Sequence, residues 1–273
     1  MRSLPLFALL VGCGGQKATP VAECSHPARA AAVPVIGDHN GDGVTDIADA
    51  IYMCDYVSRA GPAPVCAAAA DVMGDDLIDL GQGTAILYHD FVGNTTYAAL
   101  AAGACALPTD PGAACAGDLA LTLDASSATA GTATVTVSVQ SPELALQGWA
   151  LSVAAEGCRV TGASTAGTQA ADRRDSPPGV RDGGFQRTDL TGDGGAVDGT
   201  VLDLHGTAVL PASPDAQPIL ALTVQAISGC TACTVRIQDG LVGAGAPITN
   251  VLVAGGHAYL PGGGEVSVGV CGG

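Results

Sequence analysis

Oxygen-bearing side chains recur at a regular interval between residues 38 and 49. In Asp38-His39-Asn40-Gly41-Asp42-Gly43-Val44-Thr45-Asp46-Ile47-Ala48-Asp49 they stand at positions 1, 3, 5, 9 and 12 of a twelve-residue stretch. Carboxylate and amide oxygens are hard ligands, and Ca²⁺ gathers about six to eight of them. A tightly curved loop would point Asp38, Asn40 and Asp42 inward. Gly43, at position 6, supplies the positive-φ residue that such a turn demands. Val44 can offer its backbone carbonyl, Asp46 can act through a water, and Asp49 can close the set from the start of the following helix. A carboxylate there is also favoured by the helix dipole.

The pattern returns 33 residues later as Asp71-Val72-Met73-Gly74-Asp75-Asp76-Leu77-Ile78-Asp79-Leu80-Gly81-Gln82. Asp71, Asp75 and Asp79 keep positions 1, 5 and 9. Met73 is a poor ligand for a hard cation, Asp76 replaces the glycine, and Gln82 offers a neutral amide. The second loop is therefore expected to be a weak metal site or a purely structural turn. Helices are expected over residues 50–57 and 84–92. Residues 35–94 carry ten aspartates against one arginine, a crowding of like charge that a cation would relieve.

Aspartate at position 12, a short helix closed by Gly61-Pro62-Ala63-Pro64, and repetition of the unit make residues 35–98 resemble the dockerin family. The resemblance covers about 60 residues, less than a quarter of the chain. It implies a Ca²⁺-ordered helical pair that docks onto a cohesin-like or other surface protein. The family's recognition positions are here Ile47-Ala48 and Leu80-Gly81, without the hydroxyl pair common in that family. The chain's own β-sandwich is a further candidate partner.

The elements that would carry or anchor these loops lie on either side. Leu10-Val11-Gly12-Cys13, after a charged start and a short apolar run, looks like a bacterial lipobox. Residues 1–12 are read as a lipoprotein signal peptide, Cys13 as the lipidated residue and 13–34 as a tether, so that contact with the membrane is through lipid only. The protein is expected in the cell envelope, outside the cytoplasm. Ten cysteines agree with an oxidising compartment. With Cys13 set aside nine remain, so one should be free or paired between molecules, in a connectivity the spacing does not reveal. Cys230-Thr231-Ala232-Cys233 is read as structural disulfide chemistry.

Residues 99–117 read as a linker. From residue 118 the apolar pattern has period two: Leu119, Leu121 and Leu123; Val135, Val137 and Val139; Trp149, Leu151 and Val153; Leu220, Leu222 and Val224; then Val251 and Val253. The expected fold is multidomain: a small α dockerin-like pair of Ca-loop/helix units plus an all-β jelly-roll-like sandwich over 118–262, with a C-terminal strand or tail at 263–273. The strand around Leu146-Gln147-Gly148-Trp149 resembles one in cohesin-like modules. Trp149, Phe185 and Tyr259 leave a carbohydrate-binding, polysaccharide-associated surface as the alternative, although Trp149 falls on the apolar face.

Composition excludes other classes. A net charge of −16, with Lys17 the only lysine, leaves no basic patch for nucleic acid. No Gly-x-Ser-x-Gly or His-Glu-x-x-His occurs, the five histidines are scattered and glutamates number only four, so no enzyme is expected. His39 is expected to face solvent, and Asp189, Asp193 and Asp198 to form a turn rather than a second cation site. The 162–198 loop region is where an unrecognised catalytic site would be sought.

Overall fold

The computed structural model describes residues 35–93, 95–99, 105, 119–126, 128–129, 131–170, 184–203 and 208–271. The signal peptide, the tether, Cys13 and most of the linker lie outside the described residues, as do residues 171–183.

Two antiparallel sheets pack face to face. The first has the order β1 (Ala120–Ala125), β2 (Thr132–Ser141), β7 (Ser213–Ala226), β4 (Cys158–Ser164). The second runs β12 (His257–Tyr259), β11 (Val251–Ala254), β3 (Gly148–Glu156), β6 (Ala196–Val201), β5 (Phe185–Leu190). β8 (Thr234–Ile237) pairs with the far end of β3 and with β13 (Glu265–Ser267). Between the sheets, the period-two residues Leu121, Val135, Val137, Val139, Trp149, Leu151, Val153, Leu220, Leu222 and Val224 form one core. At about 25 cal/mol per Å² of apolar surface, this burial is the main force holding the sheets together.

The second sheet is covered on both faces. Among the described residues three helices lie in the N-terminal part, α1 (Ile47–Arg59), the four-residue α2 (Ala67–Ala70) and α3 (Leu80–Phe91). On the outer face of the sheet α1 and α3 bury Ile47, Ile51, Ile86, Leu87 and Phe91 against Ala150, Val197, Val201, Val251 and Val253. A strand covered on both faces shows no alternation of buried and exposed positions. That is why Val251-Leu252-Val253-Ala254 and Ala196–Val201 are buried at every position. Leu252 points into the sandwich while Val251 and Val253 point to the helices.

β8 and β11 lie end to end along β3, pairing with Val153–Glu156 and Gly148–Ala150 respectively. The chain between them leaves the sheet as a small hairpin, β9 (Leu241–Val242) and β10 (Pro247–Ile248). This hairpin caps α3: Ala246 N–H donates to the Asp90 carbonyl at 3.0 Å, satisfying an end-of-helix acceptor.

Candidate metal centre

Both helices begin earlier than periodicity predicts, because the position-9 aspartate of each loop is the N-cap. Asp46 accepts from Ala48 N–H at 2.7 Å, and Asp49 accepts from Asp46 N–H at 3.0 Å, completing a capping box. Asp79 caps α3 in the same manner through Gly81 N–H at 2.7 Å. Helix start and loop end are thus one device.

Loop one is folded around its own backbone amides. Asp38 accepts from Gly41 N–H at 2.8 Å and from Gly43 N–H at 2.9 Å. Asp42 accepts from Val44 N–H, Asn40 from Asp42 N–H, and Asp49 from the N–H groups of His39 and Asn40. Gly41 and Gly43 sit at φ of +79° and +82°, and a Cβ at Gly41 would meet Val65 at 2.9 Å. These bonds curl the chain so that Asp38, Asp42, Asp46 and Asp49 act on one another electrostatically.

The electrostatics are unfavourable without a cation. Burial, then the charge of Asp42, lifts the Asp38 carboxyl to about 6. Burial, then Asp42, Asp90 and Asp38, lifts Asp46 to about 7. Burial and the charges of Asp46 and Asp42 hold Asp49 well above the ordinary carboxylate range. A hard cation is the group that this donor set of carboxylates, one amide and a carbonyl fits. Among the described residues no three His, Cys, Asp or Glu side chains stand in a ready-made metal cluster. The carboxylates are held by loop N–H groups and repel each other, so an ion would have to draw them inward.

His39 departs from expectation. It is fully buried, and its Nδ1 lies 2.8 Å from the Asp49 carbonyl, so that nitrogen donates. The loop is pressed between α1 and the chain at Ala69–Ala70, where Gly37 N–H meets the Ala69 carbonyl at 2.6 Å. Burial depresses the His39 pKa and keeps the ring neutral.

The helical pair is seated on the sheet by residues that periodicity did not single out. A Cβ at Gly199 would lie 2.3 Å from the Phe91 ring, and one at Gly148 would lie 3.0 Å from Ile51. Gly256 lies under Tyr52, with only 3.1 Å available. Gln147 donates to Asp55 on α1 at 2.8 Å and accepts from Gly256 N–H at 2.8 Å. A glycine inside a strand marks the close approach of another element, and Gly199 within Ala196–Val201 carries that signal in the sequence.

The remaining candidates are not brought together. Asp189 pairs with Arg187 at 2.9 Å, Asp193 sits in the Thr191–Gly194 turn, and Asp198 is buried beneath Trp149. Trp149 is itself fully buried, and Phe185 packs on Phe91 inside the helix–sheet layer. Cys230 and Cys233 pair with Cys271 and Cys158, so the C-x-x-C is two structural half-cystines.

No protein-family profile and no curated protein matches the chain. Solved structures similar to it include a cohesin of Acetivibrio cellulolyticus scaffoldin B, crystallised with a dockerin, at 13% identity and TM-score 0.38, covering 55% of this chain and 98% of that one. A cohesin from Pseudobacteroides cellulosolvens superposes at 9% identity and TM-score 0.37, over 55% and 91%. A non-cellulosomal cohesin from Archaeoglobus fulgidus does so at 8% and 0.35, over 55% and 90%. These superpositions are partial, and the sandwich stands on its own sheets and core.

Proposed function

We propose that residues 38–49 bind one Ca²⁺ and that the ion sets the geometry of a helical pair docked on the chain's own sandwich. The protein on this reading is a calcium-dependent docking or assembly protein of the cell surface rather than an enzyme. The observation that carries it is the burial of Asp38 and Asp49 in a loop whose neighbouring charges are carboxylates. Asp38, Asn40, Asp42, Asp46 and Asp49 would supply side-chain oxygens and Val44 its carbonyl. The ion would supply the positive charge that lets these groups ionise together.

Loop one also touches the sandwich, since Asn40 Nδ2 donates to the Gly256 carbonyl at 3.4 Å. Ordering the loop therefore reaches the docked face directly. Three disulfides among the described residues support a place outside the cytoplasm, and lipid on Cys13 would tether the chain there.

Calorimetric titration of the full chain with Ca²⁺ tests the reading. One site is expected, with a rise in melting temperature that follows ligand linkage. Asp38→Ala and Asp42→Ala should each abolish both. A chain that takes up no Ca²⁺ at millimolar concentration would refute the proposal.

A further inference from the structure

Loop two repeats loop one almost bond for bond. Asp71 accepts from the N–H groups of Gly74, Asp75 and Asp76 at 2.8, 3.1 and 2.9 Å, as Asp38 does from Gly41 and Gly43. Asp75 accepts from Leu77 N–H as Asp42 does from Val44 N–H. Gln82 Oε1 accepts from Met73 N–H at 3.1 Å, the counterpart of the Asp49 bond to Asn40 N–H.

The Gln82 side-chain nitrogen donates to the Asp75 carboxylate at 3.3 Å, as Asn40 Nδ2 does to Asp42 in loop one, and to the Leu77 carbonyl at 2.9 Å, a bond to the position-7 oxygen that has no counterpart in loop one. Leu77 and Asp75 hold positions 7 and 5, the places of Val44 and Asp42 in loop one. An ion in the loop would bind those same two oxygens. The orientation of the amide is determined by its surroundings: its oxygen faces an N–H, and its NH₂ group faces two acceptors. Gln82 is fully buried while Asp75, Asp76 and Leu77 around it are exposed. Asp76, between the two residues that the amide joins, sits at φ +62°, where loop one uses glycine.

We infer that the Gln82 amide stands in for the ion in the second loop. Its partial positive charge and two donors keep that loop closed without metal. Loop two and the start of α3 are then permanently ordered, and Ca²⁺ governs only loop one and α1. The division of labour rests on the proposed ion at residues 38–49, whereas the amide tie does not.

Rapid hydrogen exchange on the full chain at pH 7.5, in Ca²⁺ and in chelator, separates the two. In the wild type, protection at Gly74–Leu77 should be the same in both conditions. Protection at Gly41–Val44 should fall by about tenfold or more in chelator. Gln82→Ala should release loop two in both conditions while loop one still binds its ion. Gln82→Glu, which replaces the donor by an oxygen beside Asp75, should make loop two open in chelator and closed in Ca²⁺. The inference is overturned by two ions bound per wild-type chain, by loss of loop-two protection in chelator, or by Gln82→Glu staying closed without metal. Loop one indifferent to Ca²⁺, beside a loop two that Gln82→Glu opens in chelator, would sink the proposed function and leave the amide tie standing.

Discussion

Asp198 is a carboxylate placed where water does not reach, inside the sandwich. Trp149 Nε1 donates to it at 2.9 Å, Thr200 at 3.0 Å and Thr188 at 2.6 Å. Burial raises its pKa and these bonds oppose the rise, with burial the larger effect. The folded chain thus holds this proton more tightly than the unfolded chain, in which an aspartate titrates near about 3.9. Between those two values the native state carries more protons, so stability falls as pH rises through the window. Asp198→Asn keeps the shape, with its oxygen toward Trp149 and its NH₂ toward Thr188. At saturating Ca²⁺, denaturant melts of this variant should lose that contribution to the pH dependence above pH 4. Asp198→Ala should cost about 1–3 kcal/mol near pH 4, because the indole N–H is left unpaired, and less as pH rises and the wild type loses its own contribution. Identical pH profiles for wild type and Asp198→Asn would refute the account.

Individual strands and helices are matched by what they leave out. β6 omits a side chain at Gly199, and the Phe91 ring of α3 takes the space. Where α1 crosses α3, Gly83 leaves room, since a Cβ there would stand 2.9 Å from the Ala50 carbonyl. Gly199→Ala should therefore destabilise by about 1–3 kcal/mol through overpacking. Adding Phe91→Leu should recover part of that loss, giving a coupling of about 0.5–3 kcal/mol in a double-mutant cycle read from thermal or urea melts. Additive effects would mean that α3 is not seated on β6 in solution.

Across the molecule, three layers are held by two apolar cores and by covalent ties. Cys158, at the start of β4 in one sheet, is bonded to Cys233, next to β8 in the other. Cys66–Cys105 anchors the chain beyond the helical pair, and Cys230–Cys271 fastens the C-terminus. The loop closed by Cys158–Cys233 spans 75 residues, so replacing both cysteines by alanine should lower stability by about 2–5 kcal/mol. Cys54 is the free thiol among the described residues. It is buried, and burial with the nearby charges of Asp55 and Asp203 pushes its pKa up to about 12. A thiol reagent should leave it unmodified in the native protein and label it at the rate of unfolding. Fast labelling under native conditions would show that α1 opens away from the sheet.

Local chemistry was readable from sequence because it depends on near neighbours. The spacing of Asp38, Asn40, Asp42, Asp46 and Asp49 around Gly43 prescribes the curled loop. Alternation at Val135–Val139 and Trp149–Val153 prescribes strands with one face inward. Other features depended on what packs against what. Period two identified one buried face of β3, whereas β5 and the start of β6 fall in the 162–198 stretch read as a loop, because the helical pair buries the second face of the sheet and removes the alternation. His39 reads as a loop residue exposed to water, yet the docked α1 and the Ala69–Ala70 segment enclose it. Gln82 reads as a lost ligand, and only the folded loop brings its amide onto the two oxygens that an ion would bind. Short-range spacing is encoded in consecutive residues, whereas burial is a property of surfaces that the chain joins from distant positions.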